Sequence, residues 1–238
     1  QLTPSDSTRV EIHQQDTLIR LTPKESKKLK LVPFKPVSQD FFKQYLNTVF
    51  ETEEARKTKR LRYWKIPIKV YFSPEVDRRV KQNFRSFAEQ LNTAIDSLDI
   101  EIVTELKASN FIIYYPEKDF DYEVRLNNTK SIDYYVHWDN TSIIKGFIKA
   151  NPEYFIDKEQ LSNMINKYFW LSLGRFYAQE KHPCESYFSN CIPENALPND
   201  LDLEIMRYHY SYNFCGNTAY HTMKERFNFI LKHYQSTY

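Results

Sequence analysis

The residue types able to bind a metal, move a proton or attack a carbonyl are thinly scattered through this sequence of 238 residues. Its six histidines, His13, His137, His182, His209, His221 and His233, contain no H-x-x-x-H spacing, so no helix presents two imidazoles one turn apart. The three cysteines, Cys184, Cys191 and Cys215, form no C-x-x-C and cannot all pair within the chain. Cys184 and Cys191 enclose a short loop with Pro183 and Pro193 nearby, which suits a local disulfide formed in an oxidising compartment. A catalytic cysteine working with His182, His209 or His221 would lack any recognisable local motif. Glu180, Glu185, Asp200 and Asp202 are the carboxylates that could form a hydrolytic pair, or join His209 in a metal site.

Composition removes other chemistries. Only three glycines occur, Gly146, Gly174 and Gly216, far too dispersed for a phosphate-cradling loop or a dinucleotide turn. No cofactor is expected. A net charge of +2 points to no nucleic-acid partner. The one dense basic run, Arg56, Lys57, Lys59, Arg60, Arg62 and Lys65, comes after Glu51, Glu53 and Glu54 and reads as a solvated linker. Arg78, Arg79, Lys81 and Arg85 read as the solvated face of a helix. No apolar run reaches the roughly 20 residues of a transmembrane helix. The opening, residues 1–8, is polar and turn-rich, as is common just after a removed signal peptide or a lipid tether outside the chain. A secreted, cell-surface or periplasmic location is therefore expected.

The elements that must position these residues are set by periodicity. Residues 1–36 alternate with period two in two short stretches interrupted by prolines and read as an extended arm. Ser38 is placed to cap a helix over 39–50 with Phe41, Phe42, Tyr45, Leu46 and Phe50 as its apolar stripe. Residues 66–72 form a strand. Ser73, Pro74 and Glu75 have the chemistry of a helix start, and apolar residues every three or four positions carry that helix to about residue 98. Four strands are expected over 100–105, 110–115, 132–138 and 142–150. A second long helix, 158–173, leaves at Gly174; a short helix capped by Asp200 or Asp202 and a last helix over 218–234 complete an α+β fold. This divides the chain into an N-terminal arm and helix, 1–60, packing on a main domain, 61–238.

The order strand, long helix, four strands, helix, loop, helix resembles the zincin metallopeptidases, whose mixed sheet of four to five strands packs against two long helices. Three local segments are similar to that family: Arg62–Pro67 before the first strand, Ser109–Tyr115 in the third, and Leu201–Tyr210 in the helix that closes a matrixin-like core. The nearest resemblance is to an uncharacterised family of secreted bacterial proteins, catalogued as a domain of unknown function with a degenerate zincin-like fold. There a helix ending in Leu-Gly precedes a Ser-x-Phe-Asn-Asp segment, as Leu173-Gly174 here precedes Ser186 to Asn190.

Zincin chemistry needs two histidines at i and i+4, an intervening glutamate and a third ligand beyond the glycine turn. Anchored on Gly174, the resemblance puts Lys167 and Leu171 at the histidines, Tyr168 at the glutamate and Tyr177 at the third ligand. An ammonium repels a cation, leucine has no lone pair, and tyrosine is a poor base at neutral pH. No catalytic residue and no metal are therefore expected at these positions. Aromatic residues make up 16% of the chain, and Tyr168, Tyr177, Tyr208, Tyr210 and Tyr212 could either pack the emptied site or line a cleft beside His209. The expectation is a non-catalytic binding protein with a peptide, glycan or protein partner; the alternative is a hydrolase with a relocated metal or carboxylate pair.

Overall fold

The computed structural model describes residues 10–13, 16–19, 37–117, 121–193, 197–211 and 215–234. Tyr212 lies outside them. The chain separates into two compact units, Gln1–Pro36 and Val37–Tyr238. In the first, β1 (Val10–His13) pairs antiparallel with β2 (Asp16–Ile19), so the two alternating stretches form a hairpin.

The second unit is α+β. Its helices are α1 (Gln39–Val49), α2 (Glu53–Thr58), α3 (Arg78–Ala94), α4 (Lys158–Ser172), α5 (Asp200–Tyr210) and α6 (Tyr220–Tyr234). Its strands are β3 (Ile68–Phe72), β4 (Ile100–Ile102), β5 (Phe111–Tyr114), β6 (Ile132–Trp138) and β7 (Ile143–Ala150), in the order β4-β3-β5-β7-β6. The sheet is mixed: β6 runs antiparallel to β7 at one edge and the other pairings are parallel.

Period-two alternation assigns the faces. Ile68, Val70, Phe72, Phe111, Ile113, Ile148 and Ala150 point into the main core with α3 and α4, whereas Ile112, Tyr114 and Phe147 form a smaller cluster on the other face. β5 is buried on both sides, as its unbroken Phe-Ile-Ile-Tyr demands. The stripe of α3, Val80, Phe84, Phe87, Ala88 and Leu91, meets Phe169 of α4, with the Phe84 and Phe169 rings 4.9 Å apart and edge to face.

Several boundaries differ from the sequence reading. Ser73 does not start a helix: its N–H bonds the Ile113 carbonyl, extending β3, and Asp77 caps α3 by accepting from Arg79 N at 2.8 Å. Asn199, rather than Asp200 or Asp202, caps α5, and Asp202 closes the capping box from its third position. α4 does not leave through a left-handed Gly174. Arg175 takes the positive φ of 55°, and Phe176 N–H bonds back to the Leu171 carbonyl at 2.8 Å. Gly174 is needed for space instead, because a Cβ there would fall 2.3 Å from the Phe176 ring and 2.7 Å from His209 Nε2.

The charged run at 56–65 is not a solvated linker. It contains part of α2, and Lys59 and Arg62 are buried. Lys59 Nζ reaches Glu51 at 3.1 Å and covers the Tyr177 ring at 4.9 Å, while Arg62 bonds the Leu61 carbonyl and Asn217. α1, capped by Ser38, buries Phe42, Tyr45, Leu46 and Val49 within the same core. No helix among the described residues is long and apolar enough to cross a membrane.

Candidate functional site

Lys167 and Leu171 face inward from α4 and are both about 1% exposed. The Lys167 ammonium donates to the Cys191 carbonyl, and burial lowers its pKa to about 8, against an opposing upward pull from the Asp202 charge. Asp202 is equally buried. It accepts from Ser186 Oγ at 2.6 Å and Tyr187 N at 2.7 Å; burial raises its pKa in spite of those bonds. A single polar seam therefore ties α4, the 184–191 loop and the start of α5 together. That loop is closed by a Cys184–Cys191 disulfide with a Cα separation of 5.1 Å. Cys215 is an exposed free thiol.

His209 is sealed in a second buried group. Its Nε2 lies 2.8 Å from the Arg62 carbonyl, which can only accept, so Nε2 carries the proton and Nδ1 accepts from Tyr45 Oη at 3.0 Å. Both nitrogens are occupied, Phe176 packs against the ring at 4.8 Å, and burial drives the pKa down to about 4. A neutral imidazole with no free lone pair can neither take a substrate proton nor ligate without breaking the core. Tyr208 and Tyr210 flank it as core residues; Tyr210 Oη donates to the Leu173 carbonyl at 2.8 Å.

Of the four acids considered, Glu180, Glu185 and Asp200 are exposed and Asp202 is inside the seam. Among the described residues no three His, Cys, Asp or Glu side chains come together in a group that could hold a metal ion.

Tyr168 and Tyr177 are the two family-implied positions that reach the surface. Tyr168 lies 6.3 Å from Tyr134 of β6. The Tyr134 hydroxyl donates to the Phe176 carbonyl, next to Tyr177, whose ring carries Lys59. Four residues along β6, Trp138 packs against the same core cluster as Tyr134 and stacks beneath the Arg175 guanidinium at 4.2 Å. A strip of partly exposed rings, Tyr134, Trp138, Tyr168 and Tyr177, thus runs beside β6, a strand at the sheet edge. Sequence reasoning found Tyr168 and Tyr177 but missed Tyr134, Trp138 and Arg175. The i, i+4 spacing of the two aromatics in a period-two strand was the available signal.

No protein-family model matches this chain, and no curated protein matches it.

Proposed function

We propose that this chain is a non-catalytic binding protein on a zincin-like scaffold, exported from the cell and holding an extended peptide along the β6 edge. The single observation that carries this is what occupies the family-implied ligand positions. Lys167 and Leu171 are committed to the core, and Tyr168 and Tyr177 belong to an aromatic strip beside an edge strand. The element order of strand, long helix, four strands, helix, loop and helix supports the scaffold assignment. The Cys184–Cys191 disulfide fits an oxidising compartment. An edge strand offers backbone hydrogen bonds to an added strand, and flanking tyrosines supply broad contact area at little entropic cost.

The test is a display selection of extended peptides on the native protein, followed by affinity measurements on Trp138→Ala and Tyr177→Ala. Selected peptides should lose about tenfold or more in affinity with either variant, and a quenched-fluorescent peptide pool should remain uncleaved. Steady cleavage of that pool, abolished by chelator, would overturn the reading.

A further inference from the structure

Helix α3 carries a feature that the β6 edge does not use. Arg78, Lys81 and Arg85 stand at i, i+3 and i+7, on one face over two turns. Among the described residues none of the three has an ion-pair partner or a side-chain hydrogen bond. They form one wall of a cavity of about 620 Å³. Its other wall is mainly apolar, built from Tyr71 and Phe72 at the end of β3 and from Ile102, Val103 and Thr104 at and just beyond the end of β4. Glu89, one turn beyond Arg85, closes the cationic stretch.

Ser86 also lines a second cavity of about 310 Å³ between α3 and α4. This one is walled by carboxamides: Asn83, Gln90, Asn163 and Asn166. Asn166 is only 2% exposed, and its carboxamide oxygen has no hydrogen-bond partner. The only charged groups in this wall, Arg79 and Glu159, are opposite in sign, so the second cavity favours neither anions nor cations.

One ligand chemistry satisfies both cavities. At the helical rise, Arg78, Lys81 and Arg85 span roughly 10 Å, with a cation about every 5 Å. That spacing suits a linear polymer with one carboxylate per ring-sized unit, since guanidinium groups bind carboxylates as paired donors. The apolar wall suits the C–H faces of such rings. Carboxamides, each offering donors and an acceptor, suit neutral hydroxyls. We infer that this face of α3 binds an acidic polysaccharide, with uronate carboxylates on Arg78, Lys81 and Arg85 and ring hydroxyls on the adjoining amide-lined cavity. The site is separate from the β6 strip, so either could fail alone.

The test is calorimetric titration of the whole chain with a six-unit oligogalacturonate, its fully methyl-esterified neutral form, and poly-glutamate. The acidic sugar should bind with an affinity that falls as salt rises, and Arg85→Glu and Lys81→Glu should each weaken it about tenfold or more. Both residues lie on a solvent-facing helical surface, and unchanged melting of the variants confirms that folding is intact. Lys57→Glu, in the other basic run, should leave binding unchanged. Equal binding of the neutral sugar or of poly-glutamate would overturn the assignment, as would charge reversals without effect or no binding at low salt.

Discussion

On the outer face of the sheet, Lys149 bonds directly to Asp121, which also accepts from the Tyr114 hydroxyl, and half-exposed His137 meets the buried Glu123 at 2.6 Å. On the helical side, Lys167 and Asp202 are buried at least as deeply, yet they form no direct ion pair: each bonds neutral groups of the 184–191 loop. In the outer arrangement each mostly buried charge meets an opposite one directly: Lys149 with Asp121, and Glu123 with both His137 and Arg125. In the seam water cannot reach, so every donor and acceptor must be matched by protein, and loss of one leaves a stranded charge. Lys167, where the zincin resemblance would expect a metal ligand, instead carries an ammonium that bonds the Cys191 carbonyl of the loop.

Breaking the seam should have the largest effect. Asp202→Ala removes the capping-box carboxylate, strands Ser186 Oγ and Tyr187 N–H, and takes away the charge that steadies Lys167. A loss of about 3–5 kcal/mol in urea unfolding is expected, with Asp202→Asn intermediate.

His209 makes the stability of the core depend on pH. Its pKa is about 4 in the fold against an ordinary 6.5. Between these values the unfolded chain binds a proton that the folded ring refuses, so stability falls as pH drops from 6.5 toward 4, by up to about 3 kcal/mol. His182, lowered in the same direction by burial, adds to this slope. Unfolding curves at intervals across that range should show a shallower slope for His209→Gln than for the wild type.

Removing the Cys184–Cys191 crosslink by paired serine substitution should cost roughly 2–3 kcal/mol from the short loop it closes, read as a lower denaturation midpoint. Lys167 acts at the alkaline end. Its pKa is about 8 in the fold and 10.5 otherwise, so above pH 8 the unfolded chain holds the extra proton. The contribution of this group to stability should therefore rise from about pH 8 toward pH 10, with Lys59 acting in the same direction, and Lys167→Met should reduce that rise. On the outer face, His137→Gln should change stability by about 1 kcal/mol, because glutamine keeps a donor for Glu123 and Arg125 still pairs with it.

Local chemistry was legible in the sequence wherever the partner is close in the chain. The Ser38 cap, the apolar stripe of α3 and the alternation of β3 are set by neighbours within a few residues, and the sequence reading places them well. The Cys184–Cys191 pairing was readable for the same reason. What was missed depends on distant partners. Lys59 reads as a solvated cation because Tyr177, which it covers, is far along the chain. Gly174 reads as a helix exit because the crowding ring of Phe176 and the imidazole of His209 have no signature at that position. The aromatic strip combines a strand, a helix and a loop, so neither Tyr134 nor Trp138 announces itself alone.

The proposed non-catalytic reading is tested most directly by elemental mass spectrometry on protein purified without chelator, repeated after zinc loading and desalting. Both samples should hold metal far below one equivalent, because among the described residues no three His, Cys, Asp or Glu side chains converge and both nitrogens of His209 are engaged. About one tightly retained metal ion per chain would contradict this and favour the metallohydrolase alternative.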